Sequence, residues 1–151
     1  MKTIAALSIA LFSTTAGAQN LSASPTYTTW NLTSGFTPDP VSVSIQAGGN
    51  DRVTIAGCAG YIMNSAPDVR LNFTSGSLPL SIYVNSSADT TLVVNRPDGS
   101  WICDDDSGSG TNPVITMRGA MSGQYDIWVG NYNGTATPAA TLLVTELTPS
   151  W

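Results

Sequence analysis

Apolar and polar positions alternate along most of this chain in short stretches. Val41 to Ile45 reads VSVSI, a strict alternation rich in β-branched residues, which is the mark of a strand with one buried face. The same reasoning predicts strands at Arg52–Ala56, Val69–Phe73, Leu80–Asn85, Thr90–Asn95, Ser100–Cys103, Val114–Met117, Gln124–Gly130 and Ala140–Glu146. An edge strand is expected at Tyr27–Leu32. Turn chemistry separates them: Ala47-Gly48-Gly49-Asn50-Asp51, Asn85-Ser86-Ser87, Pro97-Asp98-Gly99, Ser122-Gly123 and Asn131 to Gly134. No window carries sustained helical periodicity with caps. Many short strands at even intervals predict an all-β fold, an antiparallel β-sandwich of jelly-roll type. Within Gln124–Gly130, Tyr125, Ile127 and Val129 share the face expected in the core. Asp126 and Trp128 share the other, facing outward or toward a covering loop.

The first residues break this pattern. Met1 to Ala18 has Lys2, the apolar run IAALSIALF and the small residues Ala16-Gly17-Ala18, the layout of a secretory signal peptide cleaved near Gln19. The expected organisation is a signal peptide at 1–18, an extended Ser/Thr/Pro-rich lead-in at 19–40 and a β-sandwich domain at 41–151, secreted to periplasm or medium. Loss of Lys2 leaves four arginines against ten carboxylates, a net charge of −6, with no lysine and no histidine. That balance disfavours nucleic acid and anionic lipid and favours cations.

Export makes a disulfide between Cys58 and Cys103, the two cysteines, the expected pairing; two free thiols or a metal pair are the alternatives. Four carboxylates fall within Asp98–Asp106, in PDGSWICDDD. Adjacent carboxylates repel unless a cation intervenes, and calcium takes six to eight oxygens in an irregular loop. Asp98, Asp104, Asp105 and Asp106, with the Asn112 amide oxygen, are therefore candidate calcium ligands. The alternative is a solvated acidic turn whose side chains cap backbone amides. A Ser–His–Asp or Cys–His device lacks its base, and a Ser–Lys one lacks its lysine, so catalysis is not expected. Trp128, Trp101 and Tyr132 are candidate ligand contacts, with core packing as the alternative. Asn31, Asn72, Asn85 and Asn133 open N-x-[ST] sequences, which matter only in a glycosylating secretory pathway.

Residues 86 to 134, SSADTTLVVNRPDGSWICDDDSGSGTNPVITMRGAMSGQYDIWVGNYNG, resemble the bacterial pre-peptidase C-terminal (PPC-like) domains. The likeness rests on the strand Asp89–Asn95, Pro97-Asp98-Gly99, the DDD loop, Asn112-Pro113 and the Gly123-x-Tyr125-x-Ile127-x-Val129 strand. Upstream, Gly35-Phe36-x-Pro38-Asp39-Pro40, Gly48-Gly49 and Cys58-x-Gly60-Tyr61 followed by Ala66-Pro67-Asp68 resemble stand-alone exported members. The resemblance implies a jelly-roll β-sandwich that often holds calcium, and it adds Asp89 to Asp98, Asp104, Asp105 and Asp106 as positions for ion binding or loop order. The expected function is a non-catalytic, calcium-stabilised exported module that binds a glycan or a cell-surface protein. A self-assembling envelope protein is the second reading, and a small carboxylate hydrolase the third.

Overall fold

The computed structural model describes residues 18–151; Met1–Gly17, nearly all of the expected signal peptide, lie outside it. The described residues form eleven strands and no helix. They are β1 (Thr28–Thr33), β2 (Val41–Gln46), β3 (Asp51–Arg52), β4 (Tyr61–Ile62), β5 (Val69–Thr74) and β6 (Leu80–Asn85), followed by β7 (Thr90–Asn95), β8 (Trp101–Asp104), β9 (Val114–Met117), β10 (Gly123–Asn131) and β11 (Ala139–Thr145).

One sheet has the order β2-β11-β6-β9. The other runs β1-β5-β10, with β7 on the far side of β10, β8 beyond β7, and the short β4–β3 pair extending the β5 side of β10. Counting only the eight main strands β2 and β5–β11, one sheet holds the first, eighth, third and sixth, the other the second, seventh, fourth and fifth. That is the double Greek-key order of a jelly roll. The expected antiparallel β-sandwich is present, with one parallel pairing at its edge, β1 on β5, Thr28 to Thr33 against Val69 to Thr74. One expectation is corrected. The strand expected at Arg52–Ala56 shrinks to β3; beyond it the chain leaves the sheet as a loop over residues 53–60, and β4 appears where no strand was predicted.

The core lies between the sheets. Val69, Leu71 and Phe73 of β5, Leu92 and Val94 of β7, and Tyr125, Ile127 and Val129 of β10 meet Leu80, Ile82 and Val84 of β6, Ile115 of β9, and Leu142 and Val144 of β11. Their period of two matches the pleat. Yet β7 is buried along its whole length and β10 from Tyr125 onward, so the outer face of this sheet is also covered. Part of the cover is the lead-in. Arg70 reaches across the outer face, where its Nε bonds Asp126 at 2.7 Å and its Nη2 donates to the carbonyls of Leu21 and Ala23. The rest is the 53–60 loop.

Carboxylates do much of the stapling. Asp39 accepts from Thr145 Oγ1 and the Glu146 amide, while Glu146 accepts from Ser34 Oγ and the Gly35 amide, tying the β1–β2 corner to the end of β11. Asp68, buried before β5, accepts the Val129 amide at 2.7 Å, and its carbonyl accepts from Tyr27 of the lead-in. Burial pushes the Asp68 carboxyl up to about 7, and the Val129 bond only partly offsets this. Unfolded, the same carboxyl ionises near 3.8. The native state therefore holds its proton longer than the unfolded one, and Asp68 draws stability away as pH rises from about 4 to 7. Asp68→Asn keeps an acceptor for Val129 and should abolish that decline. Thermal melts of the variant should match wild type at pH 4 and exceed it at pH 8, by up to about 4 kcal/mol if the whole difference is realised. Parallel pH profiles for the two proteins would refute this role for Asp68.

Candidate functional site

The acidic residues sort themselves by what already bonds them. Asp39, Asp51, Asp68, Asp98, Asp104 and Glu146, six of the chain's ten acidic residues, each accept at least one backbone amide. Asp126 is paired with Arg70. Asp89, Asp105 and Asp106 remain.

Asp98 does not join the others. The β7–β8 hairpin turns at Arg96–Ser100, closed by Arg96 N to Ser100 O at 2.8 Å. There Asp98 Oδ1 accepts the Ser100 amide and hydroxyl, and those bonds, with Arg96 nearby, hold its carboxyl below the usual range. The register pairs Asn95 with Trp101 and Leu92 with Asp104, so β8 carries the chain away from Asp98 before the DDD run begins. Trp101, Ile102 and Cys103 of the strand lie between the two, and the run from Trp101 to Asp104 alone spans roughly 10 Å at about 3.3 Å per residue. Asn112 is not a free ligand either. Its Oδ1 accepts from the Ser86 amide and Thr90 Oγ1, and its Nδ2 donates to the Ser86 carbonyl, so the side chain locks one loop to another.

Asp104 is a bridge between the sheets. Its Oδ2 accepts the Val114 amide of β9 at 2.8 Å and the Ser107 amide at 3.0 Å, and its Oδ1 accepts the Ser107 hydroxyl. It shapes the acidic loop, which Gly108 N to Asn112 O closes behind it. Trp151 packs against Gly108 and meets Tyr83 edge-on at 5.1 Å.

Asp89, at the start of β7, stands at this same end. One of its oxygens accepts from Asn133 Nδ2 at 3.0 Å, while the other, Oδ1, is buried with no partner. Asp106 has its carboxyl raised by local desolvation and then by Asp105, Asp89 and Asp104. Here repulsion is uncompensated and a carboxylate oxygen is orphaned, so an oxygen-seeking cation fits the chemistry of the donors. Among the described residues no three Asp, Glu, His or Cys side chains converge on one point, so main-chain carbonyls and water must complete any such shell.

Cys58 and Cys103 lie at disulfide distance, with Cα atoms 5.6 Å apart. The pair pins the 53–60 loop onto β8. Under the loop, Trp128 is fully buried with Val53, Ile62 and Val93, and Ile55, Cys58, Trp101 and Cys103 pack around them. The Trp128 indole donates to the Met63 carbonyl at 3.0 Å, and Trp101 lies 5.6 Å from it, ring to ring. Trp128 does sit on the face opposite Tyr125 and Ile127, but the covering loop removes it from solvent, so it is corrected as a ligand contact. Trp101, half-buried against it, is part of the same packing.

Tyr132 is different, at 46% exposed. It stands at the start of the β10–β11 turn, where its amide bonds the Asp89 carbonyl at 3.0 Å. With Arg52, Val53, Cys58, Ala59, Gly60 and Tyr61 it lines an open cleft of about 280 Å³. Arg52 and Tyr61 are cross-strand partners in β3–β4, and Tyr61 is set beside Asn131 of β10. Gly60 forms the floor at φ +94°, where a β-carbon would stand 2.6 Å from Thr91 Oγ1. Val53 N to Gly60 O at 3.0 Å closes the loop that forms one wall. The sequence marks Tyr61 only as part of the Cys58-x-Gly60-Tyr61 motif and gives neither it nor Arg52 a role in a site. Their meeting with Tyr132 depends on β4 docking beside β10, and a two-residue strand leaves no periodic signal.

No protein-family model matches the chain, and no curated protein matches it.

The sorting of the aspartates predicts unequal costs. Asp104→Ala orphans the part-buried Val114 amide and should lower unfolding free energy by about 1–3 kcal/mol in urea titrations. Asp98→Ala, at an exposed turn, should cost less than about 1 kcal/mol. Equal losses would show that Asp104 is not a bridge.

Proposed function

We propose that the chain is an exported, non-catalytic binding module that holds a glycan in the Tyr61–Tyr132 cleft, at the disulfide-tied end of the sandwich. The observation that carries this reading is the exposed Tyr132 ring facing a cleft whose walls are fixed before any ligand arrives. Tyrosine offers a rigid amphipathic face to a sugar ring at little cost in side-chain entropy. A pre-shaped wall reduces the ordering that binding must overcome. The secretory character of the first residues, the absence of histidine from the sequence and the resemblance to PPC-like domains support the same conclusion.

Calcium belongs to this reading as a stabiliser of the acidic end. Asp89 and Asp106 are the residues that would hold it, with main-chain carbonyls and water completing the shell, Asp105 adding charge nearby and Asp104 keeping the loop in shape. A bound ion would supply positive charge against the repulsion of these carboxylates and would offer the buried Asp89 oxygen the partner it lacks.

Two measurements test the proposal. In pull-downs against a panel of insoluble and soluble polysaccharides, wild-type protein should be retained by at least one, and Tyr132→Ala should lose about tenfold or more in affinity without losing its fold. Retention by none, or an undiminished Tyr132→Ala, refutes the binding reading. Millimolar Ca²⁺ should raise Tm by several degrees over EDTA, as saturation at a hundredfold excess is worth about 2.7 kcal/mol. Asp106→Asn should raise Tm in EDTA by relieving repulsion and should shrink the calcium response. Identical melts with and without the ion refute the calcium assignment alone.

A further inference from the structure

We infer that the cleft selects carboxylated glycans, with Arg52 gripping the uronate and Tyr132 supporting the sugar ring; this rests on the glycan-binding reading above. Four arginines serve ten carboxylates in the exported chain, so pairing should be easy. Arg70 is paired with Asp126, and Arg96 approaches Asp98 at 4.0 Å. Arg52 and Arg118 have no carboxylate within ion-pair distance among the described residues. Arg118 stands exposed on the turn after β9, where solvation explains it. Arg52 is also exposed, but it lines a concave wall together with Tyr61 and Tyr132.

An exposed guanidinium on the wall of a cleft can receive an anion. Its planar fork fits a carboxylate through two parallel hydrogen bonds, geometry that a neutral hydroxyl does not match. Tyr132, which lines the same cleft, offers the apolar face that a sugar ring needs and that a free inorganic anion does not use. At about 280 Å³ the cleft falls just below the 300–1,000 Å³ range of pockets that enclose whole ligands. Its openness suits one residue of a longer chain.

Position adds a condition. Tyr132 is bonded through its amide to Asp89, so the acidic end begins immediately beyond the cleft. Asp89, Asp105 and Asp106 would repel a uronate chain running past Tyr132, and calcium among them would remove that repulsion. Uronate binding should therefore be stronger in Ca²⁺ than in EDTA.

The test is titration calorimetry on the intact exported protein in millimolar Ca²⁺. The probes are hyaluronan oligosaccharides and glucuronoxylan fragments, each compared with its carboxyl-reduced counterpart. An acidic peptide of matched charge is included. The acid forms should bind at least about tenfold more tightly than the reduced forms, and Arg52→Gln should erase that preference while Arg118→Gln keeps it. Both arginines are exposed, so unchanged melting of the variants establishes that folding is intact. Equal affinity for acid and reduced forms overturns the inference and leaves the glycan reading standing. So does preference for the acidic peptide over every uronate, or an equal loss from Arg118→Gln, which would mean diffuse charge attraction. Failure of every saccharide, acidic or neutral, overturns the inference and the glycan reading together.

Discussion

Covering Trp128 is the constraint on which the rest depends. A jelly roll buries the inner faces of its two sheets, and here Leu71, Ile82, Ile127 and Leu142 do that work. But β10 also turns an indole to the outer face, together with Val93 of β7. An exposed patch of that size invites association. The chain answers with the 53–60 loop, which has few backbone bonds of its own, Val53 N to Gly60 O and Cys58 N to Ile55 O. The Cys58–Cys103 tether holds this loop down. For a sequence separation of 45 residues, the chain-entropy model values such a link at about 4 kcal/mol.

The cleft follows from that constraint. The loop that covers Trp128 ends at Gly60 and Tyr61, and these form the floor and one side of the cleft. Arg52 enters the loop from the other side. Packing that is needed for stability thus fixes the positions of the residues that line the cleft. The acidic end is built by the same economy. Asp104 bridges β8 to β9, Asn112 locks the loop, and Trp151 packs on Gly108. What is left over, the orphan oxygen of Asp89 with Asp105 and Asp106, is where unspent negative charge collects.

Much of the fold was legible in the sequence because a strand's period is set by its pleat. VSVSI and QYDIWVG show their buried faces directly, and the Gly, Asn and Asp turns mark the boundaries. The failures have physical causes. The run RVTIA has the composition of a strand, but Val53 and Ile55 bury themselves over Trp128 instead of in a ladder. Trp128 was rightly placed opposite the core; local pattern left open whether it faced solvent or a covering loop, and the 53–60 loop covers it. Asp98 and the DDD run are close in sequence, and an extended strand carries them apart. Among the carboxylates, the sequence shows charge density but not which oxygens backbone amides have already claimed.

Native-state hydrogen exchange, with and without reduction of Cys58–Cys103, tests the central claim most directly. The Val53 amide and the Trp128 indole N–H, bonded to Gly60 O and Met63 O, report on the loop and on what it covers. With the tether intact, both should exchange slowly. On reduction both should lose protection together, while amides of β6 and β11 stay protected. A Trp128 indole that keeps its full protection after the tether is cut would contradict the account.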